Sequence, residues 1–431
     1  MGWSCALTPA RPASSVAAIN PRRDTAPPLA PLRIDLQRGQ EREMTERSMS
    51  AERTANEAGP MGLRPSVLHL TTNHQAFDVR IFVKEASTLA EAGFDVTIVA
   101  PHHHDEERSG VRIKAVPIPS DRRTRMMVTT RQVYRVAASR APGIVHMHDP
   151  ELIPFGWLLK ARGHRVVFDA HEERPLQILS KEWIPRYLRP TIASMTRLVE
   201  SVSAMLFDRI VAATPPIAAG FPDRKTWLIQ NFPIAEELVT PTHVPYEERP
   251  NDIVFVGGLF AMRGVREMIE AMEHVNASHE ATLVLAGLFD PPDLEASVAT
   301  MTGWSRVRAV GWQARPEVAH TLARARAGLV VYHPAPNYIS AQPVKLFEYM
   351  AAGVPVIASD FPVWRALVEE AGAGLLVDPL DPRAIGEAIN WVLEHPLEAR
   401  AMGERGRQAV SNRFNWATEA KKLLDMYTTL S

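Results

Sequence analysis

The chain has 431 residues, of which 46% are hydrophobic and 23% charged, enough for two domains of ordinary size with separate apolar cores. A formal net charge of −1 argues against a nucleic-acid binder, which normally carries a strong basic excess. Its single cysteine, Cys5, excludes an internal disulfide framework and a cysteine-ligated zinc site and fits a reducing cytoplasm.

No apolar run approaches the roughly 18–20 residues needed to span a bilayer, and the start lacks the apolar stretch of a secretory signal. Gly2 does not begin a myristoylation motif, because Ala6 stands where Ser or Thr is needed. Residues 1–63 are rich in Pro, Ala, Arg and Glu without apolar periodicity. They read as a disordered leader, with Met44, Met49 and Met61 as alternative translation starts.

From Val67 the pattern changes. Val67–Leu70 reads as a short buried strand, Arg80–Ala92 has helical spacing, and Asp95–Ala100 is a second strand after Gly93. Ile144–Met147, Arg165–Ala170 and Arg209–Ala213 continue the series. A second series comprises Asp252–Gly257, Ala281–Ala286, Gly328–Tyr332, Val354–Ala358 and Gly374–Val377. Short β-branched runs joined by helices predict parallel sheets covered on both faces. The proline-rich Pro233–Pro250 lies between the two series and reads as a linker. The organisation expected is a leader (1–63), a first Rossmann-like domain (64–235), a linker (236–250) and a second Rossmann-like domain (251–412). A terminal helix (413–431) crosses back to the first domain. Open parallel sheets bind ligands beyond the carboxyl ends of their strands, so two facing sheets would hold one in the cleft between them.

Pro343–Ser359 (PVKLFEYMAAGVPVIAS) carries the most chemistry. Pro343 opens a helix, Lys345 and Glu348 share its face, and Gly353-Val354-Pro355 ends it before a buried strand. The positive end of such a helix suits a diphosphate, and a glutamate can accept bonds from two ribose hydroxyls. The same Lys–Glu pair also fits a solvated surface helix.

Asn337-Tyr338 followed by Pro343, Lys345, Phe347-Glu348-Tyr349-Met350-Ala351-Ala352-Gly353 and Pro355 resembles the signature of family 4 retaining glycosyltransferases of the GT-B fold. The resemblance implies an α/β architecture of two doubly wound Rossmann-like domains. It also implies metal-independent, retaining transfer of a sugar from a UDP- or GDP-linked donor, with no separate cofactor and no metal ligands. In that family one glutamate binds the donor sugar and a second, after seven intervening residues, binds the nucleotide ribose. Glu348 matches the second, and Ser340 stands where the first belongs. Gly257, Gly258 and Arg263-Gly264 resemble the loop that receives the donor phosphates. Gly258 takes the place of the usual arginine and Arg263 that of the usual lysine. Arg263 is thus expected to neutralise the leaving diphosphate, supported by Lys345.

Asp78–Glu85, Leu89–Val99 and His148-Asp149-Pro150-Glu151 resemble a branch found in bacterial surface-polysaccharide pathways. Thr71–Gln75 replaces that family's usual glycine-rich acceptor loop. His171, at the carboxyl end of a predicted strand, matches the histidine beside the donor sugar, and Asp149 and Glu172 are acceptor-side candidates. His102-His103-His104 with Asp105 suggests a metal, but consecutive loop residues do not converge and none is expected. Trp183–Arg209 reads as a long helix packed on the sheet, and also as an interfacial face reaching a lipid-linked acceptor, with Arg122, Arg123 and Arg125 beside Met126 and Met127. Expected partners are therefore a nucleotide-sugar donor and a glycan or lipid-linked acceptor, with peripheral contact at the inner face of the membrane and no nucleic acid. Alternatives on the same architecture are a sugar-nucleotide epimerase and a non-catalytic sugar-nucleotide-binding protein.

Overall fold

The computed structural model describes residues 65–179, 181, 184–238 and 244–430. The leader assigned to residues 1–63 lies outside them, as do Trp183 and residues 239–243 of the linker.

The first sheet contains β1 (Ser66–Leu70), β2 (Asp95–Pro101), β3 (Glu106–Arg108), β4 (Val111–Val116), β5 (Ile144–Met147), β6 (Arg165–Ala170), β7 (Arg209–Ala212) and β8 (Thr226–Leu228). They lie in the order β3-β4-β2-β1-β5-β6-β7-β8, parallel throughout except for the β3–β4 hairpin. The second sheet holds β9 (Asp252–Val256), β10 (Thr282–Ala286), β11 (Val307–Gly311), β12 (Ala325–Val330), β13 (Val356–Ser359) and β14 (Gly374–Val377). Its order, β11-β10-β9-β12-β13-β14, is all parallel. In both sheets the first strand sits centrally and the chain reverses direction beside it. That reversal opens a crevice above the strand ends.

Six helices matter for the site: α1 (Val79–Ala86), α2 (Arg174–Leu179), α3 (Arg189–Leu206), α4 (Val265–Ala271), α5 (Val344–Ala351) and α6 (Trp416–Thr428). Asp78 caps α1 through bonds from Arg80 N and Ile81 N, and a π-type turn there carries Val83 N back to Asp78 O. That wide turn puts Arg80, Lys84 and Glu85 on the buried side of the helix. The expected single helix over Arg80–Ala92 is thus a π-type segment followed by the α-helical Ser87–Glu91.

α6 does cross back. Trp416, Leu423, Met426, Tyr427 and Leu430 pack in one core with Val67, Ile98 and Val211 of the first sheet, while Gln230 N donates to Glu419 Oε2.

Several strand expectations need correction. β3, β4, β8 and β11 were not foreseen. β4 (VRIKAV) interleaves charged residues, β11 is exposed along much of its length, and β3 and β8 have three residues each. β12 begins earlier and ends at Val330, which frees Tyr332 to reach the crevice wall. Pro343 stands just before α5 as its cap residue instead of inside its first turn.

Candidate active site between the two sheets

Strand ends of both sheets surround a cavity of about 860 Å³, a size ordinary for a small-molecule site. The first sheet contributes Asp78, Arg80, His171, Glu173 and Thr214; the second contributes Arg263, Tyr332, Ser340 and Lys345.

On the second-sheet side, β9 runs into Gly257-Gly258. Gly257 adopts φ +136°, and a Cβ there would lie 3.2 Å from Lys345 Cε and 3.5 Å from an Arg263 nitrogen. The glycine therefore leaves room in which the two cations approach one strand end. Arg263 donates to Gly258 O at 3.2 Å and lies over the rings of Phe260 and Tyr332, at 4.9 and 5.5 Å from their centroids. Gly264 follows at φ +77°, where a Cβ would strike Val331 O at 2.1 Å, so only glycine fits between Arg263 and α4. Lys345 Nζ donates to Glu348 Oε2 at 2.7 Å. Burial opposes the Glu348 carboxylate, but Lys345 holds its pKa below the ordinary value. Glu348 is 9% exposed and stands behind Lys345, not on the cavity wall. Of the expected donor set, Gly257, Gly258, Arg263 and Lys345 gather at this strand end, Ser340 lines the cavity beside Glu173, and Glu348 pairs with Lys345 off the wall.

On the first-sheet side, β6 ends at Ala170 and delivers His171 to the cavity. Both of its ring nitrogens are buried without a hydrogen-bond partner, and Nδ1 stands 3.6 Å from Asp169 Oδ2. Buried polar groups normally find partners, so an imidazole whose Nε2 has none at a cavity suits an incoming ligand. Asp169 is itself gripped by Arg80, through Nε at 2.8 Å and Nη2 at 2.9 Å, and by His148 Nδ1 at 3.0 Å. Burial would raise its carboxyl, yet Arg80 and His148 hold it well below the usual range.

Beneath lies a fully buried cluster in which Glu85 Oε2 is 4.0, 3.7 and 4.0 Å from nitrogens of His69, His146 and His148. Burial pushes Glu85 well above the ordinary carboxyl value, and burial followed by the neighbouring histidines depresses His69 and His146. Arg80 joins this cluster to Asp169, its Nε lying 3.1 Å from Glu85 Oε1 as well.

Asp149 is placed differently from the expectation that it faces an acceptor. It is 1% exposed, and its Oδ2 accepts from Thr71 Oγ1 at 2.8 Å and Thr72 N at 2.7 Å. It organises the Thr71–His74 loop that replaces the glycine-rich one. Glu172 lines the cavity and pairs with Arg174 at 3.0 Å. His102 and His104 converge on Glu106, at 2.6 and 3.5 Å, through the β3 hairpin, whereas Asp105 turns to Lys114.

Among the cavity residues that sequence reasoning left without a role are His74, Asp78, Arg80 and Glu173. Glu173 accepts a 2.8 Å hydrogen bond from Ser340 Oγ, so a carboxylate from the first domain stands beside the serine of the second.

Two parallel α/β sheets facing each other across a cleft form the GT-B architecture. Two family models divide the chain between them. Glycosyl transferases group 1 matches residues 242–409 and the glycosyl transferase 4-like domain matches residues 79–226. The second sheet's half of the chain thus resembles the group 1 glycosyltransferases and the first sheet's half the 4-like ones.

Among curated relatives, glycogen synthase of Mycobacterium tuberculosis is 27% identical over 180 residues, 41% of this chain and 42% of the relative. This chain thus aligns with less than half of that relative's length. Alpha-maltose-1-phosphate synthase of Mycolicibacterium smegmatis is 24% identical over 329 residues, 68% of this chain and 80% of the relative. Sucrose-phosphate synthase from Thermosynechococcus elongatus superposes with a TM-score of 0.70 at 21% identity, covering 85% of this chain and 99% of that one. Anabaena HepE in complex with UDP-glucose gives 0.65 at 15% identity, covering 85% and 100%. These structures share the fold.

Proposed function

We propose that this protein transfers a sugar from a nucleotide diphosphate sugar to a glycan or lipid-linked acceptor, with retained anomeric configuration and without a bound metal. The observation that carries the reading is the convergence of Arg263 and Lys345 on Gly257-Gly258, at an 860 Å³ cavity that His171 also lines. The sugar–oxygen bond to the diphosphate breaks, and its electron pair stays on the phosphate oxygen, where two fixed cations stabilise it. The acceptor oxygen bonds to the anomeric carbon on the face just vacated, and its proton passes to the departing diphosphate. Retention rests on the family resemblance, and the two side-chain cations supply the charge otherwise given by a metal.

In this reading Glu348 acts on the ribose, with Lys345 setting its orientation. His171 hydrogen-bonds the donor sugar, and Ser340 with Glu173 lines the same end. A UDP-linked donor is favoured because HepE, on the same fold, was solved with UDP-glucose. Both halves match transferase families, which favours transfer over epimerisation. Among the described residues no helix is long and apolar enough to cross a membrane. The proposed location is the cytoplasmic face of the membrane, by peripheral contact.

The test supplies radiolabelled UDP- and GDP-sugars with and without a membrane extract, in the presence and absence of EDTA. Transfer that survives EDTA and gives a product of unchanged anomeric configuration supports the reading. Donor binding without transfer, hydrolysis or epimerisation under any condition overturns catalysis.

A further inference from the structure

A second cavity, of about 1030 Å³, opens in the first domain behind the donor cleft and shares His74 and Gln177 with it. Its character is split. One part is apolar, walled by Ile118, Met126, Ile178, Ile192 and Met195; the other carries Arg122, Arg125, Arg174 and Lys181. Lys181 has its pKa depressed by burial and then by Arg122, Arg174 and Arg125, so these cations are close enough to repel one another.

The acids nearby only partly offset them. Arg125 is paired with Glu151 at 3.1 Å and Arg174 with Glu172, while Asp121 is taken up in capping the backbone of Arg123 and Thr124. Burial raises Glu200 to about 7, which makes it a weak counter-charge near neutrality. A cluster of this kind favours an anion with several oxygen atoms.

The apolar part continues onto the surface. On α3, Leu198 and Val199 lie three and four residues after Met195, Met205 and Leu206 follow seven residues after Leu198 and Val199, and the five are, in chain order, 62, 63, 38, 60 and 51% exposed. Such spacing normally marks a buried stripe; here it faces outward beside the mouth of the cavity.

We infer that this cavity is the acceptor site and that its occupant is an anionic amphiphile, a hydrocarbon chain bearing a phosphate or diphosphate. The head lies among Arg125, Arg174 and Lys181, close to His74 where the two cavities meet. The chain runs along the Ile178–Met195 wall and leaves over the outer face of α3, which rests on the membrane that holds the rest of the chain. The assignment rests on the glycosyl-transfer reading and narrows its acceptor to one chemical class.

The test titrates the full chain with farnesyl diphosphate, with inorganic pyrophosphate and farnesol as the head and the chain alone, and with phosphatidylglycerol vesicles. UDP is titrated in parallel. Farnesyl diphosphate is expected to bind at least tenfold more tightly than either fragment, together with UDP and not in competition with it. Lys181→Glu should weaken it at least tenfold. Met195→Lys, at an exposed position, should weaken farnesyl diphosphate but not pyrophosphate, and both variants should keep UDP affinity, which reports an intact fold. Displacement by UDP overturns the assignment. So does binding of vesicles, abolished by Lys181→Glu, with none of farnesyl diphosphate, which marks a bilayer contact instead of an acceptor site. If UDP itself fails to bind, the donor reading falls; if UDP binds and farnesyl diphosphate does not, the acceptor assignment alone falls.

Discussion

Ser340 Oγ and Glu173 Oε2 are 2.8 Å apart, and the bond between them ties the loop before α5 in the second domain to the end of β6 in the first. The family's signature places a carboxylate at position 340 itself. Here the serine is short and neutral, and the nearest negative charge arrives from the other side of the cleft. This geometry makes donor-sugar recognition dependent on the two domains being together. Gln230 Nε2 and Gln342 Oε1 at 2.6 Å make a second link across the same gap.

Removing that charge should therefore affect the sugar and spare the nucleotide. Glu173→Gln is expected to lower kcat/KM about tenfold, because charge-assisted hydrogen bonds are worth about 1.5–3 kcal/mol. Affinity for the nucleoside diphosphate alone should stay within about twofold, a difference near 0.4 kcal/mol. Calorimetric titration of the diphosphate beside transfer kinetics checks the split, and equal losses in both would remove the assignment.

Arg263→Ala should weaken nucleoside diphosphate binding about 10–100-fold, on the same scale for a lost charged contact. Arg263→Lys should recover part of it, since a point charge replaces a bidentate fork. The corresponding nucleoside, which lacks phosphates, should bind both variants as it binds the parent.

His171 and its neighbour Asp169 should separate chemistry from stability. His171→Ala is expected to lower kcat about 100-fold, the low end for a group acting on reacting atoms. It should cost less unfolding free energy than Asp169→Asn, about 1 kcal/mol, because its one polar contact in the fold is Nδ1 to Asp169 at 3.6 Å. Asp169→Asn leaves the Arg80 guanidinium, 5% exposed, with Glu85, 3.1 Å from its Nε, as remaining carboxylate partner, which should cost up to about 3 kcal/mol. Denaturant titration of both variants checks the contrast.

Glu200 gives a pH dependence with a defined sign. Its folded pKa is about 7, above the ordinary 4.5, through burial that outweighs Arg174 and Arg197. The folded state therefore holds its proton more tightly. The corresponding stability is complete below pH 4.5 and is lost as pH rises through 7. Melting measured from pH 5 to pH 8 should fall more steeply for the parent than for Glu200→Gln, by on the order of 2 kcal/mol. Parallel curves would show that Glu200 is not the group responsible.

How much of this was visible in the amino-acid order depends on burial. β5, β6 and β14 are short runs rich in branched and apolar residues, and their limits matched those read directly from the chain. β4 and β11 are half-exposed and interleave Arg or Lys with Val and Ile, so nothing marked them as strands. The donor half of the site was legible because Lys345 and Glu348 lie on one short helix, and Gly257 and Arg263 lie six residues apart at one strand end. The first-domain half was not. His74, Arg80 and Glu173 reach the cleft through strand order and domain pairing, which local spacing does not encode. Asp149 was noticed for its company in a motif, yet its neighbour in space is a loop about 77 residues earlier.

Tyr427 accepts or donates a 3.0 Å bond with His146, 281 residues before it, and its ring belongs to the first domain's core. During synthesis the first domain must consequently wait, its polar heart unsealed, while the ribosome makes the entire second domain. A nascent chain stalled before Trp416 has both sheets encoded but no closed first core, a state that invites chaperone capture. The order of translation thus withholds a finished acceptor half until the donor half exists to face it.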